Sequence, residues 1–277
     1  MRTNTTQPST TKHISRKQLS ELQIEVLKIL YKFRFSNSKL ISQYQGQTTR
    51  NINVRLSNLL TQKYIGRNYD GSYKIKHQSA TYYLLPKAIK LLKADPELDP
   101  KGLHLLYYNR TAKQAFINHW LRIFRIYLIL DELYGDNLEF FTSTEIAEQT
   151  KFPRPLPDVF LKLINRNKNT PDYILELVDG NQSLARIKQR INRYLSHYEK
   201  GDWQHISGNN YPRILLIFDN IGLERELQRY IARMLNNKGI VNLTFYTTTL
   251  KALYSSTTTQ DSIYSNVLEP TTLSSLF

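Results

Sequence analysis

The sequence predicts an α/β protein in two parts, a basic helical N-terminal third followed by a region of alternating strands and helices, on three observations. Charge is segregated: residues 1 to 94 hold 17 Lys/Arg against Glu21, Glu25 and Asp70, so 14 of the 15 net positive charges lie there. Three helical periodicities precede an Asp70-Gly71 turn signal and further short β segments. Beyond residue 95, apolar strand-like runs at 173–178, 214–218 and 240–246 alternate with amphipathic helices. A chain of 277 residues with 40% hydrophobic and 12% aromatic side chains has apolar material for two cores.

Residues 1–18 are polar and rich in Ser and Thr, and are expected to form a disordered arm. Leu19, Leu22, Val26, Ile29, Leu30 and Phe33 then recur at steps of three and four, which predicts an amphipathic helix opening at Ser20-Glu21. Ser36-Asn37-Ser38 supplies caps for a short second helix with Leu40, Ile41 and Tyr44, closed by Gly46. A third helix opens at Thr48 or Thr49. Its buried stripe is Ile52, Leu56, Leu59 and Leu60, which turns Gln47, Arg50, Asn51, Val54, Asn58 and Thr61 to the other side.

That outer face carries the residue types that meet DNA: Arg for guanine, Asn and Gln for adenine, an apolar group for the thymine methyl. An ordinary solvated helix face is the competing explanation for any one of them. After the helix, 64–69 reads as a strand, Asp70-Gly71 as a hairpin turn and 72–76 as the returning strand, with 82–85 as a further β segment and Pro86 opening another helix. Three helices followed by a basic hairpin is the order of a winged helix-turn-helix over 19–94. In that architecture Gln47, Arg50, Asn51 and Asn58 face base edges, and Arg67, Lys74 and Lys76 face phosphates or the minor groove. A concentration of cations of this kind suits a polyanion, because neutralising phosphates releases counterions.

Asp95-Pro96-Glu97-Leu98-Asp99-Pro100 breaks helical periodicity, so residues 95–105 are expected as a linker, with a second domain over 106–250 that starts with one long helix. The run 214–218 is apolar throughout, which predicts a central strand covered on both faces. Residues 251–277, rich in Ser and Thr, are expected as a tail. Cysteine is absent, which excludes disulfides and thiolate chemistry. The most apolar long stretch, 120–133, is interrupted by Arg122, Arg125, Asp131 and Glu132, so no membrane span is expected and a cytoplasmic location is the default.

Asp158 heads one strand and Glu176 lies inside the next, an arrangement that lets two carboxylates converge on a divalent metal such as magnesium, which could activate a water against a phosphodiester. The competing reading is structural: Asp158 caps a turn and Glu176 is satisfied by a neighbouring Arg.

With Leu156-Pro157-Asp158, Leu175-Glu176, Gly180 and Ser183-Leu184-Ala185-Arg186 leading into a Lys/Arg-rich helix that ends in Tyr, the chain resembles the replication-relaxation family of plasmid and mobile-element proteins over roughly residues 19 to 250. That resemblance implies a second, mixed-sheet α/β/α domain similar to the PD-(D/E)XK nuclease fold, with Asp158 and Glu176 as its metal acids. The lysine of the motif is replaced by Val178, and Lys188 or Arg186 from the following helix would have to substitute for it. The expected function is therefore a DNA-binding accessory protein in replication, relaxation or mobilisation, with a non-catalytic second domain. No cofactor is required, and magnesium enters only if the nuclease-like site is intact. Expected partners are double-stranded DNA and a relaxase or replication protein, with homo-oligomerisation left open. The alternatives are a magnesium-dependent endonuclease using Asp158, Glu176 and Lys188, or a transcriptional regulator whose second domain dimerises.

Overall fold

The computed structural model describes residues 19–69, 79–164, 170–180 and 182–276. The expected N-terminal arm, the Asp70-Gly71 turn, the returning strand 72–76 and with it Lys74 and Lys76 lie outside the described residues.

Helix α1 (Glu21–Phe33) opens where the Ser20 backbone N–H donates to Gln23 Oε1 at 3.0 Å, and it buries Val26, Leu27, Ile29, Leu30 and Phe33. Helix α2 (Ser38–Tyr44) is capped by the Asn37 side chain, which accepts from the Leu40 N–H at 2.9 Å. Gly46, at φ +60°, makes the turn into α3 (Thr49–Thr61), whose Ile52, Leu56 and Leu59 are buried as the periodicity requires. Strands β1 (Ile65–Asn68) and β2 (Thr81–Leu84) then form a two-stranded antiparallel sheet, followed by α4 (Pro86–Leu92). Among the described residues the partner of β1 is β2, with Arg67 opposite Tyr82.

The stretch expected as a linker, 95–105, is structured instead. It carries α5 (Pro100–Leu105), capped by Asp99, whose other carboxylate oxygen accepts from the Glu148 N–H at 2.8 Å while its own N–H donates to the Tyr31 hydroxyl at 2.9 Å. A Cβ on Gly102 would lie 1.9 Å from the Thr144 carbonyl oxygen, so glycine is what allows α5 to lie directly on the 143–144 turn. The long helix α6 spans Gln114–Tyr134, preceded by a 3₁₀ segment at Leu106–Thr111, so the single helix expected from 106 is broken near Ala112.

A seven-stranded mixed sheet follows, ordered as in the chain: β3 (Leu138–Thr142), β4 (Val159–Leu163), β5 (Asp172–Val178), β6 (Arg213–Phe218), β7 (Phe245–Thr249), β8 (Tyr264–Asn266) and β9 (Glu269–Ser274). The β3-β4-β5 meander is antiparallel, β5-β6-β7 is parallel, and β8 and β9 return antiparallel. Strand β6 is the middle of the seven and is buried, as its unbroken apolarity requires. Successive residues of β4, β5 and β6 alternate between two cores. Leu161, Leu175 and Leu215 pack with α1 and α6 on one face, and Phe160, Ile174 and Leu216 pack with α7 (Leu184–Lys200), α8 (Asp202–Ser207) and α9 (Ile221–Lys238) on the other.

One core is shared across the expected domain boundary. Phe33 of α1 stacks on Phe124 of α6 with ring centroids 3.9 Å apart, and Lys32 Nζ donates to the Phe140 carbonyl at 2.6 Å. The expected strand at 240–246 is also displaced: Val241 is 77% exposed and β7 begins at Phe245, because Gly239 ends α9 in the left-handed conformation and a loop intervenes. The expected tail, 251–277, contributes α10 (Leu250–Ser255), β8 and β9, and the Tyr173 hydroxyl donates to the Leu276 carbonyl at 2.8 Å. Threonine, being β-branched, suits strands as well as loops, and β9 carries Thr271 and Thr272, so a Ser/Thr-rich composition does not by itself mark a tail. Among the described residues no helix is long and apolar enough to cross a membrane.

Candidate functional site

Two surfaces carry the residues singled out above. On α3, Arg50, Asn51, Val54 and Asn58 are exposed and Gln47, just before the helix, is half-buried. Among the described residues the side chains of Arg50, Asn51 and Asn58 have no hydrogen-bond or ion-pair partner. Arg67 of β1 is exposed, its guanidinium 5.5 Å from the Tyr69 ring. These side chains are held out by a backbone whose other face is locked in the core. Burying Ile52, Leu56 and Leu59 fixes which way the rest point.

The second surface lies where β4 begins and β5 and β6 end. The register that pairs Val159 with Leu175 sets Asp158 opposite Glu176, so the two acids are neighbours across an antiparallel pair. Both are buried. Arg190, on the sheet-facing side of α7, donates from Nε to Glu176 Oε1 at 2.7 Å, places Nη2 2.5 Å from Glu176 Oε2, and reaches Asp158 Oδ1 at 3.5 Å. The Tyr194 hydroxyl, one turn on, also donates to Glu176 Oε1. Asp158 Oδ2 accepts from the Leu177 N–H at 2.9 Å.

His119 of α6 stands between two carboxylates, with Nε2 3.0 Å from Asp158 Oδ1 and Nδ1 2.6 Å from Asp179 Oδ2. Both ring nitrogens face acceptors, so the imidazolium is the form that satisfies the geometry. Asp179 and Asp219 follow adjacent parallel strands. Arg122, one turn after His119, pairs with Asp179 and lies 3.3 Å from Asp219. Asp219 in turn accepts from the Gly180 N–H at 3.1 Å.

Ionisation follows from these contacts. Burial opposes a charge on Asp158, but His119 and Arg190 outweigh it and hold the carboxyl well below its usual range. Burial pushes Glu176 up to about 8, opposed by Arg190 and reinforced by Asp158. Burial also disfavours charge on His119, yet the Asp158 and Asp179 carboxylates push it up to about 10.

Magnesium does not fit this donor set as arranged. Both oxygens of Asp158 and Oε1 of Glu176 accept from donors of the chain itself, and Glu176 Oε2, which accepts no hydrogen bond, lies against the Arg190 guanidinium at 2.5 Å. Among the described residues no group of three His, Cys, Asp or Glu could hold a metal ion. The two acids are thus matched by Arg190 and His119 of the chain itself.

The expected substitutes for the missing lysine divide. Lys188 is not at the acids: it points toward α9, with Nζ 3.9 Å from Glu226 and 5.1 Å from the Tyr230 ring centroid, because it lies two residues from both Arg186 and Arg190 and so on another side of the helix. Arg186 lines a cleft of about 570 Å³ beside the cluster, and Val178 is buried in the core. Arg190, His119, Asp179, Arg122, Asp219 and Tyr194 were missed by sequence reasoning. The Arg186, Arg190, Tyr194 spacing of four residues was the available signal, as were His119 and Arg122, three residues apart on the long helix.

No family model, curated protein or solved structure matches the chain.

Proposed function

We propose that the chain is a DNA-binding accessory protein of a plasmid or mobile element, as its resemblance to the replication-relaxation family implies, with a second region that does not cleave DNA. The observation that carries the DNA-binding reading is the outer face of α3. Arg50, Asn51, Val54 and Asn58 project from a helix whose other side is buried, within the third of the chain that holds 14 of the 15 net charges. Such side chains can read base edges once phosphate contacts have fixed the register. Three helices followed by an antiparallel β pair fit a winged helix-turn-helix, in which α3 would enter the major groove and Arg67, Lys74 and Lys76 would hold the backbone. A cytoplasmic location and a relaxase or replication protein as partner belong to the same reading.

A mixed sheet with helices on both faces, and Asp158 opposite Glu176, support the nuclease-like resemblance. The same opposition favours the second reading, a magnesium-dependent endonuclease. Arg190 and His119 weigh against it, since they occupy the oxygens a metal would need. The test is binding of the full chain to a duplex library, followed by incubation with supercoiled plasmid and magnesium. Selection of a preferred sequence without nicking supports the proposal. Absence of duplex binding refutes it.

A further inference from the structure

The cleft beside the acid cluster is more cationic than its neighbours require. Arg34, Arg122, Arg186, Arg190 and His119 line it, against only Asp158 and Asp179. Arg122 and Arg190 are matched by the cluster carboxylates, but Arg34 and Arg186 are not. Arg34 donates from Nε and Nη2 to Asn109 Oδ1 at 3.1 and 2.7 Å and from Nη2 to the Leu105 carbonyl at 3.2 Å, all neutral acceptors. Burial without a carboxylate beside it pulls that guanidinium down to about 10. A half-buried cation in that position is costly until an anion reaches it.

Among the described residues one more group on the cleft wall, the Trp120 indole, lacks a partner. Trp120 is 3% exposed, and its indole N–H is buried with no acceptor. Arg186, at the mouth, is exposed with a side chain that no group of the described residues engages. Phe116, 39% exposed, adds an apolar wall, with the Arg34 guanidinium 4.8 Å from its ring centroid. Unmatched guanidinium groups, an orphan donor and an aromatic wall around about 570 Å³ suit a small anion carrying a flat apolar part.

We propose that this cleft binds a nucleotide-sized phosphate compound, its phosphate taking the counter-charge role toward Arg34 and Arg186 and its base lying against the Phe116 wall. The phosphate comes from a free nucleotide or from the end of a nucleic-acid strand, which present the same chemistry. This site is separate from the α3 face and needs no metal.

The chain contains two tryptophans, so Trp203→Phe leaves Trp120 as the sole indole reporter on the cleft. Fluorescence of that variant is followed while AMP, adenosine, inorganic phosphate and a dinucleotide with or without a 5′-phosphate are added. Calorimetric titration of the unaltered chain with the same probes keeps the test valid if Trp203→Phe folds poorly. A saturable response to AMP, at least tenfold weaker for adenosine and competed by phosphate, is expected, and Arg186→Glu should weaken it by about tenfold or more while the melting temperature and binding to closed-circular duplex DNA, which has no strand ends, stay unchanged. Tighter binding of the 5′-phosphorylated dinucleotide than of AMP supports the strand-end source, and comparable binding supports the free nucleotide. No saturable response to any probe overturns the proposal. So does equal affinity for adenosine and AMP, or unchanged binding by Arg186→Glu. Loss of DNA binding in α3 variants bears on the α3 proposal alone, because the nucleotide titration does not depend on it.

Discussion

Arg190 joins Glu176 and Asp158: its guanidinium lies 2.5 Å from one Glu176 oxygen and 3.5 Å from one Asp158 oxygen, across a sheet register that sets the two acids face to face. The geometry makes the pair a neutralised core element before it can be anything else. Removing Arg190 leaves buried Glu176 without its main donor and Asp158 with His119 as its remaining cation. Arg190→Ala is therefore expected to cost about 3 kcal/mol or more in a denaturant unfolding measurement, with Arg190→Lys recovering part of it. A cost near zero would mean that the acids are paired some other way.

Stability should fall as pH rises. Glu176 keeps its proton to about 8 when folded but only to 4.5 in its ordinary state, so the folded chain holds a proton that the unfolded chain has lost between those values. His119, raised from 6.5 to about 10, contributes stability that is complete below 6.5 and lost as pH rises through 10. Melting temperatures across pH 5 to 10 should decline through both windows. Glu176→Gln should flatten the lower one and His119→Gln the upper one. A curve that rises between pH 6 and 9 would contradict both assignments.

Metal addition gives a third outcome. Because the oxygens of Asp158 and Glu176 are engaged by the chain's own groups, millimolar magnesium or manganese should leave the melting temperature unchanged and supercoiled plasmid intact. Magnesium-dependent nicking that disappears in Asp158→Ala or Glu176→Ala would restore the endonuclease reading.

The shared core predicts that residues 19–94 do not fold cooperatively by themselves. Phe33, fully buried, rests on Phe124, and Leu27 and Leu30 belong to the same cluster as Leu161 and Leu175 of the sheet. Circular dichroism of that fragment should show no cooperative melt. A sharp transition would mean that the helical third holds its own core.

Much of the local structure was legible because single-helix periodicity and caps decide it: α1, α2 and α3 begin where Ser20, Asn37 and Thr48 announce them, and β6 is central as its apolar run requires. The strands of the C-terminal stretch were not legible, since Ser favours turns while Thr suits both turns and sheet, and their pairing depends on β7. The linker was misread for a related reason. Two prolines near Asp99 break a helix, but proline at the first position also starts one, and Asp99 caps α5. At the site, Asp158 and Glu176 could be found from strand position, whereas His119 and Arg122 come from a helix that sequence spacing does not connect to them. The alternative that a neighbouring Arg satisfies Glu176 is the one the geometry realises, through Arg190.

Sequence reading and phosphate gripping should separate in variants. Arg50→Ala and Asn51→Ala are expected to flatten preference among duplex sequences, while Arg67→Ala, Lys74→Ala and Lys76→Ala weaken all sequences alike, measured by selection from a random duplex pool and by anisotropy on the selected site. A pool that yields no preferred sequence for the unaltered chain would remove the base-reading role of α3.

The central claim, that the basic third of the chain holds duplex DNA through the outer face of α3, is tested most directly by duplex affinity of the full chain as a function of salt. A plot of log affinity against log salt should fall steeply, with about 0.9 in slope for each phosphate neutralised. Arg50→Glu should weaken binding at every salt concentration and make the slope shallower, whereas Arg186→Glu should leave both unchanged on closed-circular duplex. A flat salt dependence, or an unaltered line for Arg50→Glu, would contradict the account.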